Sequence, residues 1–235
     1  METKYKRALV KLSGEALSGD LGHGIDFDTA MECCRNIVKC LDCGAQIAIV
    51  CGAGNFWRGR QGSDMDPVKA DQMGMLATNM NAIALSEMFR LVGAEAKVLS
   101  AVAMPQVCET YTKDLADKYL NEGKIVIFGG GTGCPFFTTD TAAALRAAEI
   151  GADIALLAKN IDGVYDKDPR KFADAKKFDE ISYSEILARK LGVIDLTAAS
   201  LCMEKGIPVL LFRLGKGESI SEALSGKDVG SVIRV

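Results

Sequence analysis

One stretch decides the fold of this chain: Lys124-Ile125-Val126-Ile127-Phe128-Gly129-Gly130-Gly131-Thr132-Gly133-Cys134-Pro135-Phe136-Phe137-Thr138-Thr139-Asp140. Its first five residues form an apolar run that predicts a buried strand. An alanine-rich helical pattern follows at residues 141–150. Glycines and hydroxyl side chains therefore lie between a strand and a helix, where open α/β sheets bind ligands. Because glycine permits close approach to the backbone and a helix N-terminus favours an anion, we predict a phosphate or nucleotide site.

Strand and helix patterns alternate along the rest of the chain. Apolar runs typical of strands occupy residues 8–12, 46–51, 96–99, 154–157 and 209–212, and helical patterns occupy residues 27–41 and 68–91. Such alternation is typical of a largely parallel sheet with helices on both faces. We therefore predict an α/β fold, a three-layer αβα sandwich with a mostly parallel central sheet. The polar stretch 169–177 is predicted to be a loop.

Length and composition fit one large α/β domain, or such a domain with a small lobe. The chain has 235 residues, of which 49% are hydrophobic and 25% charged, so apolar material for a core is ample. The formal net charge of −3 gives no electrostatic reason to expect nucleic acid as a partner. The apolar runs are far shorter than the roughly 20 residues that span a bilayer. We expect no membrane partner, no signal peptide and a cytoplasmic location.

The eight cysteines predict reduced thiols rather than a metal centre. Cys40 and Cys43 have the spacing of half a zinc or redox site, but no second such pair follows. His23 is the only histidine, so a four-ligand zinc site is poorly supported. We expect mostly buried thiols and no metal site made by protein side chains alone.

The predicted helix 68–91 carries an apolar stripe. Its members, Met73, Leu76, Met80, Ile83 and Leu85, recur near helical spacing. A methionine-rich stripe of this kind predicts core packing or a subunit interface rather than a cofactor site.

Several familiar catalytic motifs are missing from the sequence. No GxxxxGK[ST] run occurs, which excludes a P-loop kinase. Gly52-Ala53-Gly54 begins like a dinucleotide fingerprint, but Trp57 occupies the third glycine position. There is no GxSxG elbow and no protein-kinase signature, and a lone histidine argues against a Ser-His-Asp or Cys-His hydrolase.

Glycines and cations instead recur where the predicted strands end. Lys11-Leu12-Ser13-Gly14 ends the first strand, Gly52 to Arg58 follow the second, and Lys159 follows the strand at 154–157. Such loops converge on one crevice in a parallel sheet, which suits two phosphorylated ligands. Phosphoryl transfer needs alignment and cations, which Lys11, Arg58 and Lys159 supply, with Mg²⁺ bridging donor phosphates. The plainer interpretations are a solvent-directed edge lysine for Lys11 and a surface ion pair for Arg58.

These motifs together resemble the bacterial UMP kinases of the amino acid kinase superfamily, over essentially the whole chain. The resemblance rests on Lys11-Leu12-Ser13-Gly14-Glu15-Ala16-Leu17, Gly54-Asn55-Phe56-Trp57-Arg58-Gly59, Asp71-Gln72-Met73-Gly74-Met75-Leu76-Ala77-Thr78, residues 131–140 and Asp162-Gly163-Val164-Tyr165. The PFFTTD run at 135–140 separates UMP kinases from the carbamate, glutamate and aspartate kinases that share the fold.

The resemblance implies Mg²⁺-dependent transfer of the γ-phosphoryl group of ATP to UMP, giving UDP and ADP in pyrimidine nucleotide biosynthesis. It implies one amino acid kinase domain, with an acceptor part at about 1–150 and an ATP part at about 151–235. The catalytic residues it implies are Lys11, Arg58 and Asp140, with Asp140 orienting Lys11 or the metal shell. The ATP residues are Lys11, Leu12, Ser13, Gly14, Gly54, Arg58, Lys159, Tyr165 and Asp168. The UMP residues are Ala53, Asp71, Thr132, Gly133, Cys134, Pro135, Phe136, Phe137, Thr138 and Thr139.

The same resemblance implies a regulated homohexamer, with GTP as activator and UTP as inhibitor. The segment associated with the GTP response is Gly19, Asp20, Leu21, Gly22, His23 and Gly24. Asp195 matches another acidic position of the family, although its place before a helical run also fits a helix N-cap.

Two residues depart from the family pattern. Cys134 stands where the family usually has asparagine, so we expect a hydrogen bond to the nucleotide or across a subunit boundary to be lost or to be made by the backbone alone. Ala53 stands where many members have a third consecutive glycine. Because a left-handed backbone would strain alanine, we predict that Ala53 keeps a negative φ.

Two alternatives stay open at this point. One keeps the fold and changes the acceptor to carbamate or an amino acid; the aromatic pair Phe136-Phe137 favours a base-bearing substrate, unless it packs in the core. The other is a nucleotide-sensing module without catalysis, against which Lys11, Arg58 and Asp140 argue. An acceptor screen separates them.

Overall fold

Nine strands form one sheet in the computed structural model, which describes residues 3–58, 64–213 and 219–235. The strands of the chain are β1 (Arg7–Leu12), β2 (Gln46–Cys51), β3 (Ala96–Ser100), β4 (Glu109–Thr110), β5 (Ile125–Gly129), β6 (Ile154–Lys159), β7 (Val164–Tyr165), β8 (Lys177–Phe178), β9 (Glu180–Ser182), β10 (Val209–Arg213) and β11 (Gly230–Arg234). The order in the sheet is β4-β3-β5-β2-β1-β6-β10-β11-β9. All its pairs are parallel except β10 with β11, while β7 and β8 form a separate antiparallel pair.

Eight α-helices connect these strands within the described ranges. They are α1 (Gly14–Ser18), α2 (Phe27–Leu41), α3 (Pro67–Leu91), α4 (Lys113–Asn121), α5 (Thr139–Glu149), α6 (Tyr183–Arg189), α7 (Leu196–Lys205) and α8 (Ser219–Leu224). Local signals set several of their starts: Asp66 caps α3 ahead of Pro67, and Thr138 caps α5. None of the described helices combines the length and apolar character that crossing a bilayer requires.

The core has two halves, one on each face of the sheet. In β1 the side chains of Ala8, Val10 and Leu12 join one half, while Leu9 joins the other. This alternation follows from the two-residue period of a strand, and both faces are apolar because helices cover a parallel sheet on both sides. Helices α1, α2, α3 and α8 cover the first half, and α4, α5, α6 and α7 cover the second.

The predicted three-layer α/β fold is therefore confirmed, and the predicted long elements agree with the structure to within a few residues. Helix α5 begins two residues early, at Thr139 rather than at 141, because Thr138 caps it, and β6 extends two residues further than predicted, to Lys159. The predicted loop at 169–177 is irregular until Lys177, where β8 begins. The short strands β4, β7, β8 and β9 and the C-terminal β11 were not predicted.

Candidate active site

The carboxyl ends of β5, β2, β1 and β6 lie side by side, because these four strands are consecutive in the sheet. The loops leaving them surround one cavity of about 310 Å³, called the central cavity below. Its lining residues are Lys11, Ser13, Gly14, Glu15, Gly52, Ala53, Gly54, Thr139, Lys159 and Asn160. The predicted convergence of the glycine loops on one crevice is confirmed.

A buried cluster of three charges lies at this crevice. Asp140 Oδ1 is 3.1 Å from Lys11 Nζ, and Asp140 Oδ2 is 2.6 Å from Lys159 Nζ. Lys159 also donates to the carbonyl of Val193 at 2.5 Å. The exposed fractions of the three side chains are 11% for Lys11, 12% for Asp140 and 21% for Lys159. The interpretation of Lys11 as a solvent-directed edge lysine is therefore wrong.

The cluster keeps its carboxylate ionised. Burial opposes the charge of Asp140, yet the ammonium groups of Lys11 and Lys159 outweigh it and hold the pKa of this carboxyl below its ordinary value. Burial lowers the pKa of Lys159, assisted by Lys11 and opposed by Asp140. Asp140 also occupies the first turn of α5, where a negative charge is favoured.

Gly14 fits where a larger residue would not. A Cβ at this position would lie 2.4 Å from Asn55 Oδ1, 2.7 Å from Gly54 N and 2.8 Å from Gly52 O. The loops after β1 and β2 thus pack backbone against backbone.

Ala53, in the loop after β2, is not among the described residues with positive φ, which confirms the prediction of a negative φ.

Arg58 lies at the exposed rim of the crevice. It pairs with Glu15, whose other carboxylate oxygen accepts a hydrogen bond of 3.0 Å from Asn160. The Arg58 side chain is 54% exposed, so its contact with Glu15 is a surface ion pair, as the plainer interpretation of the sequence predicted. Gly59, the last residue of that motif, lies outside the described residues.

Helix α3 and the loop 130–138 enclose a second cavity of about 270 Å³, called the α3 cavity. Its lining residues are Ala53, Gly54, Trp57, Ala70, Asp71, Gly74, Met75, Thr78, Gly131, Thr132, Cys134, Phe137, Thr138 and Thr139. Of the residues predicted for the acceptor, Gly133, Pro135 and Phe136 do not line it. Phe136 is 72% exposed and Phe137 is 49% exposed, so the interpretation that this aromatic pair packs in the core is wrong.

Two side chains of α3 accept hydrogen bonds from the backbone of the loop 130–138. Thr78 accepts a hydrogen bond of 2.9 Å from the N–H of Gly130, and Asp71 accepts one of 2.7 Å from the N–H of Phe136. Phe136 has a φ of 71°, a conformation that costs a non-glycine residue about 1–2 kcal/mol. The Asp71 carboxylate therefore stabilises a strained turn at the mouth of the α3 cavity.

A third cavity of about 620 Å³, called the α7 cavity, is bordered by Asp140 and by the start of α7. It is lined by Lys11, Thr138, Thr139, Asp140, Lys190, Leu191, Gly192, Ile194, Asp195 and Leu196. The segment 190–193 also borders a neighbouring cavity, called the Tyr165 cavity, which is lined in part by Tyr165 and Asp168.

Leu12, predicted to contact ATP, is fully buried, and its carbonyl accepts a hydrogen bond of 2.9 Å from Gly52 N.

Asp195 links the start of α5 to the start of α7. Its carboxylate caps α7 by accepting from Ala198 N at 2.8 Å, which confirms the N-cap interpretation. It also accepts hydrogen bonds from the hydroxyls of Thr138 and Thr141. The start of α5, which carries Asp140, is thereby fixed to the start of α7.

The segment 19–24 lies beside the loop after β2. It contains a short 3₁₀ helix, Gly19–Leu21, and a backbone hydrogen bond of 2.8 Å from Gly24 N to Asn55 O. The ring of His23 contacts the carbonyl of Leu21 through Nδ1 at 3.0 Å. Asp20 and Gly22 complete this surface segment.

The cysteines are all free thiols. Five are buried, namely Cys33, Cys34, Cys40, Cys51 and Cys202, which confirms the expectation of mostly buried thiols. Burial raises the pKa of Cys33, Cys40 and Cys51 to about 12. Across the described ranges, no group of three or more His, Cys, Asp or Glu side chains is arranged to hold a metal ion.

The apolar stripe of α3 divides between core and surface. Leu85 is fully buried, whereas Met73, Leu76, Met80 and Ile83 are between 37% and 51% exposed. The core interpretation therefore applies to Leu85 alone, and the other four side chains form an apolar surface.

Sequence reasoning missed three contributors to the site. Thr78 lies in the motif at residues 71–78, but the sequence pattern indicates no role for its hydroxyl, which accepts from the N–H of Gly130. Arg146, 4% exposed, lies 3.9 Å from the ring centroid of Tyr111, pairs with Glu149 and reaches the carbonyl of Gly131 at 3.4 Å. The segment 190–194 lines two cavities without any local motif. Helical spacing of alanines around Arg146 indicated a buried face, which was the one available signal.

Comparisons with known proteins agree with this geometry. The model of the amino acid kinase family matches residues 6–213. The uridylate kinase of Deinococcus radiodurans is 47% identical over 233 residues, covering 98% of this chain and 95% of that protein. UMP kinase from Bacillus anthracis superposes with a TM-score of 0.95 at 32% identity, covering 98% of this chain and 96% of that one. UMP kinase from Ureaplasma parvum superposes with a TM-score of 0.94 at 34% identity, covering 99% of this chain and 100% of that one.

Proposed function

Since the chain belongs to the amino acid kinase family and, within it, to the uridylate kinases, we propose that it transfers the γ-phosphoryl group of ATP to UMP, giving UDP and ADP. The observation that carries this proposal is the cluster of Lys11, Asp140 and Lys159 where the cavities meet. The α3 cavity and the α7 cavity share Thr138 and Thr139, and the central cavity shares Thr139 with both. One nucleotide in the α3 cavity and another in the neighbouring cavities would therefore bring their phosphates together beside Lys11.

The catalytic contribution of the chain is alignment and positive charge. Phosphoryl transfer needs little covalent chemistry from the protein, because charge accumulates on the oxygens of the moving group. Lys11 lines both the central cavity and the α7 cavity, and Asp140 holds its ammonium group in place. Lys159 fixes Asp140 from the other side, so its role is proposed here as electrostatic support as well as donor binding. Arg58 leaves Glu15 to contact phosphates at the rim.

The remaining site residues divide between the two substrates. For ATP we propose Lys11, Leu12, Ser13, Gly14, Gly54, Arg58, Lys159, Tyr165 and Asp168, with the backbone alone acting at buried Leu12. For UMP we propose Ala53, Asp71, Thr132, Gly133, Cys134, Pro135, Phe136, Phe137, Thr138 and Thr139. Two observations support the division of the domain at about residue 150. The residues that line the α3 cavity all precede residue 150, and those that line the Tyr165 cavity all follow it.

Magnesium fits this site as a companion of the nucleotide. Asp140 Oδ1 is buried 3.1 Å from Lys11 Nζ without a well-formed hydrogen bond, so it keeps acceptor capacity for a cation or for a water bound to one. Mg²⁺ is commonly held by one or two carboxylates together with substrate phosphates. When bound, the ion would neutralise phosphate charge, and Asp140 would orient its shell.

We also propose that the chain assembles into a homohexamer and acts in the cytoplasm. The exposed stripe of Met73, Leu76, Met80 and Ile83 supports association of copies through α3. A monomer found by sedimentation at micromolar concentration would contradict assembly. Activation by GTP through residues 19–24 and inhibition by UTP stay predictions from the resemblance.

A coupled assay of ADP release tests the proposed reaction. Mg-ATP is supplied with UMP, CMP, AMP, carbamate or aspartate, and rapid turnover is expected with UMP alone. Turnover with carbamate or aspartate would instead identify an acid kinase of the same fold. Nucleotide binding without turnover, in protein shown to be folded, would indicate a sensing module.

Cys134 provides a label for the proposed acceptor site. It is exposed, whereas Cys43 and Cys108 are half-buried, so we expect Cys134 to react fastest with iodoacetamide. UMP at ten times its Kd is expected to slow this reaction about tenfold, since only free protein reacts. Peptide mass spectrometry measures each thiol, with Cys43 as the internal control. Unchanged alkylation of Cys134 at saturating UMP would remove it from the acceptor site.

A further inference from the structure

Two buried asparagines form a reciprocal pair that the proposed mechanism leaves unused. Asn81 of α3 is 0% exposed and Asn55, after β2, is 3% exposed. Each side-chain amide donates to the carbonyl oxygen of the other, at 2.9 Å and 2.8 Å. An unpaired amide would be costly in such a place, so both side chains are held in a single arrangement.

The pair joins three separate parts of the crevice. The Asn81 amide also donates to the carbonyl of Gly52 at 2.8 Å, and the Asn55 amide donates to the carbonyl of Gly24 at 2.7 Å. Gly14 packs so closely on Asn55 Oδ1 that it has no room for a Cβ. Helix α3 thereby fixes the loops after β1 and β2 relative to each other.

The bond to Gly52 sets the direction of a backbone donor. The carbonyl of Gly52 and the N–H of Ala53 belong to one planar trans peptide unit, in which they point in opposite directions. The carbonyl of Gly52 points toward buried Asn81 of α3, because it accepts a hydrogen bond from that side chain. The N–H of Ala53 therefore points away from Asn81. Ala53 lines both the central cavity and the α3 cavity, and its N–H donates no hydrogen bond within the described part of the chain.

We propose that Asn81, acting with Asn55, is a positioning residue that aims the backbone N–H of Ala53 at the phosphate of the acceptor during transfer. This inference rests on the proposed function and deepens it. Asn81 itself touches no substrate. Its effect is alignment, and misplacement of reacting groups by about 1 Å can cost about 100-fold in rate.

Asn81→Ala is the direct test, with Ala82→Gly as the matched control. Ala82 is the next residue of α3 and is equally buried, so its change weakens the helix without removing a side-chain hydrogen bond. With UMP and Mg-ATP, kcat of Asn81→Ala is expected to fall about 30- to 100-fold, while the KM for Mg-ATP changes less than about threefold. Ala82→Gly is expected to keep kcat near the wild-type value at temperatures where both variants are folded.

Three further measurements sharpen the test. Asn81→Thr keeps a similar side-chain volume and places no charge in the buried site, but its single hydroxyl donor cannot replace the two amide donors, to Gly52 and to Asn55. It is therefore expected to lose kcat similarly, and it replaces Asn81→Ala if that variant does not fold. Adding Asn55→Ala to Asn81→Ala is expected to lower kcat little further, because the two act as one unit. Hydrogen exchange across residues 51–58 is expected to accelerate in Asn81→Ala and not in Ala82→Gly, whichever substrate is used.

The two proposals fail separately. Equal kcat and equal exchange in Asn81→Ala and Ala82→Gly would overturn the positioning role. Wild-type protein that does not phosphorylate UMP would overturn the proposed function, whereas accelerated exchange in Asn81→Ala would still support control of the loop by Asn81.

Discussion

Lys11→Ala is expected to lower kcat for UMP phosphorylation by about 10²- to 10³-fold. The reason is the loss of a positive charge that lines both the central cavity and the α7 cavity, where the proposed reaction would place the moving phosphoryl group and its accumulating charge. The fold is expected to persist, because Asp140 keeps Lys159 as a partner at 2.6 Å and no carboxylate is left unpaired. Steady-state kinetics in the coupled assay measure kcat, and thermal unfolding measures stability.

Lys97→Ala serves as the control for this variant. Lys97 is also a strand lysine, in β3, and its ammonium group lies over the ring of Tyr119 rather than in the crevice. Its loss is expected to leave kcat within about twofold of the wild-type value, as is usual for residues outside the reacting centre. A Lys11→Ala protein that turns over at the wild-type rate would exclude Lys11 from catalysis.

Asp140→Asn is expected to lower both kcat and stability. Two ammonium groups would then face each other in a buried site without a carboxylate between them, so Lys11 would lose its position. Removing one partner of a buried ion pair costs about 3–5 kcal/mol of unfolding free energy, and a comparable loss is expected here. The fall in kcat is expected to be about 100-fold, since alignment and charge are both disturbed. Denaturant unfolding and steady-state kinetics measure the two effects.

Asp114→Asn is a closely matched control. Asp114 is the second residue of α4 after the N-cap Thr112, just as Asp140 is the second residue of α5 after the N-cap Thr138. Both changes remove a negative charge from the first turn of a helix, but Asp114 is exposed and remote from the crevice. If the two variants lost equal stability and activity, the effect of Asp140→Asn would be a helix-dipole effect and the ion-pair argument would be wrong.

Much of this architecture could be predicted because local patterns decided it. Strands β2, β5, β6 and β10 are buried on both faces, so each contains a continuous apolar run, and the apolar run of β1 is interrupted only by Lys11. Glycines after consecutive strands had to meet at one edge of a parallel sheet. The N-cap role of Asp195 followed from its position before a helical run.

Other features had no local pattern. Strands β4, β7 and β8 are two residues long and form through pairing with neighbours rather than through their own sequence. The contact of Lys159 with Asp140 joins residues on different elements, so spacing did not reveal it. Asn81 lies among apolar residues of α3, and its partners come from distant parts of the chain.

The position of β1 inside the sheet has a consequence for folding. Its neighbours are β2, close in sequence, and β6, where Ala8 pairs with Ile154. Contacts between such distant residues form slowly, because a long loop must close before any pairing energy is gained. During synthesis one edge of β1 therefore stays unpaired until β6 emerges, and an unpaired strand edge is prone to pair with other chains. The crevice, which needs Lys11 and Lys159 together, is assembled by this late pairing.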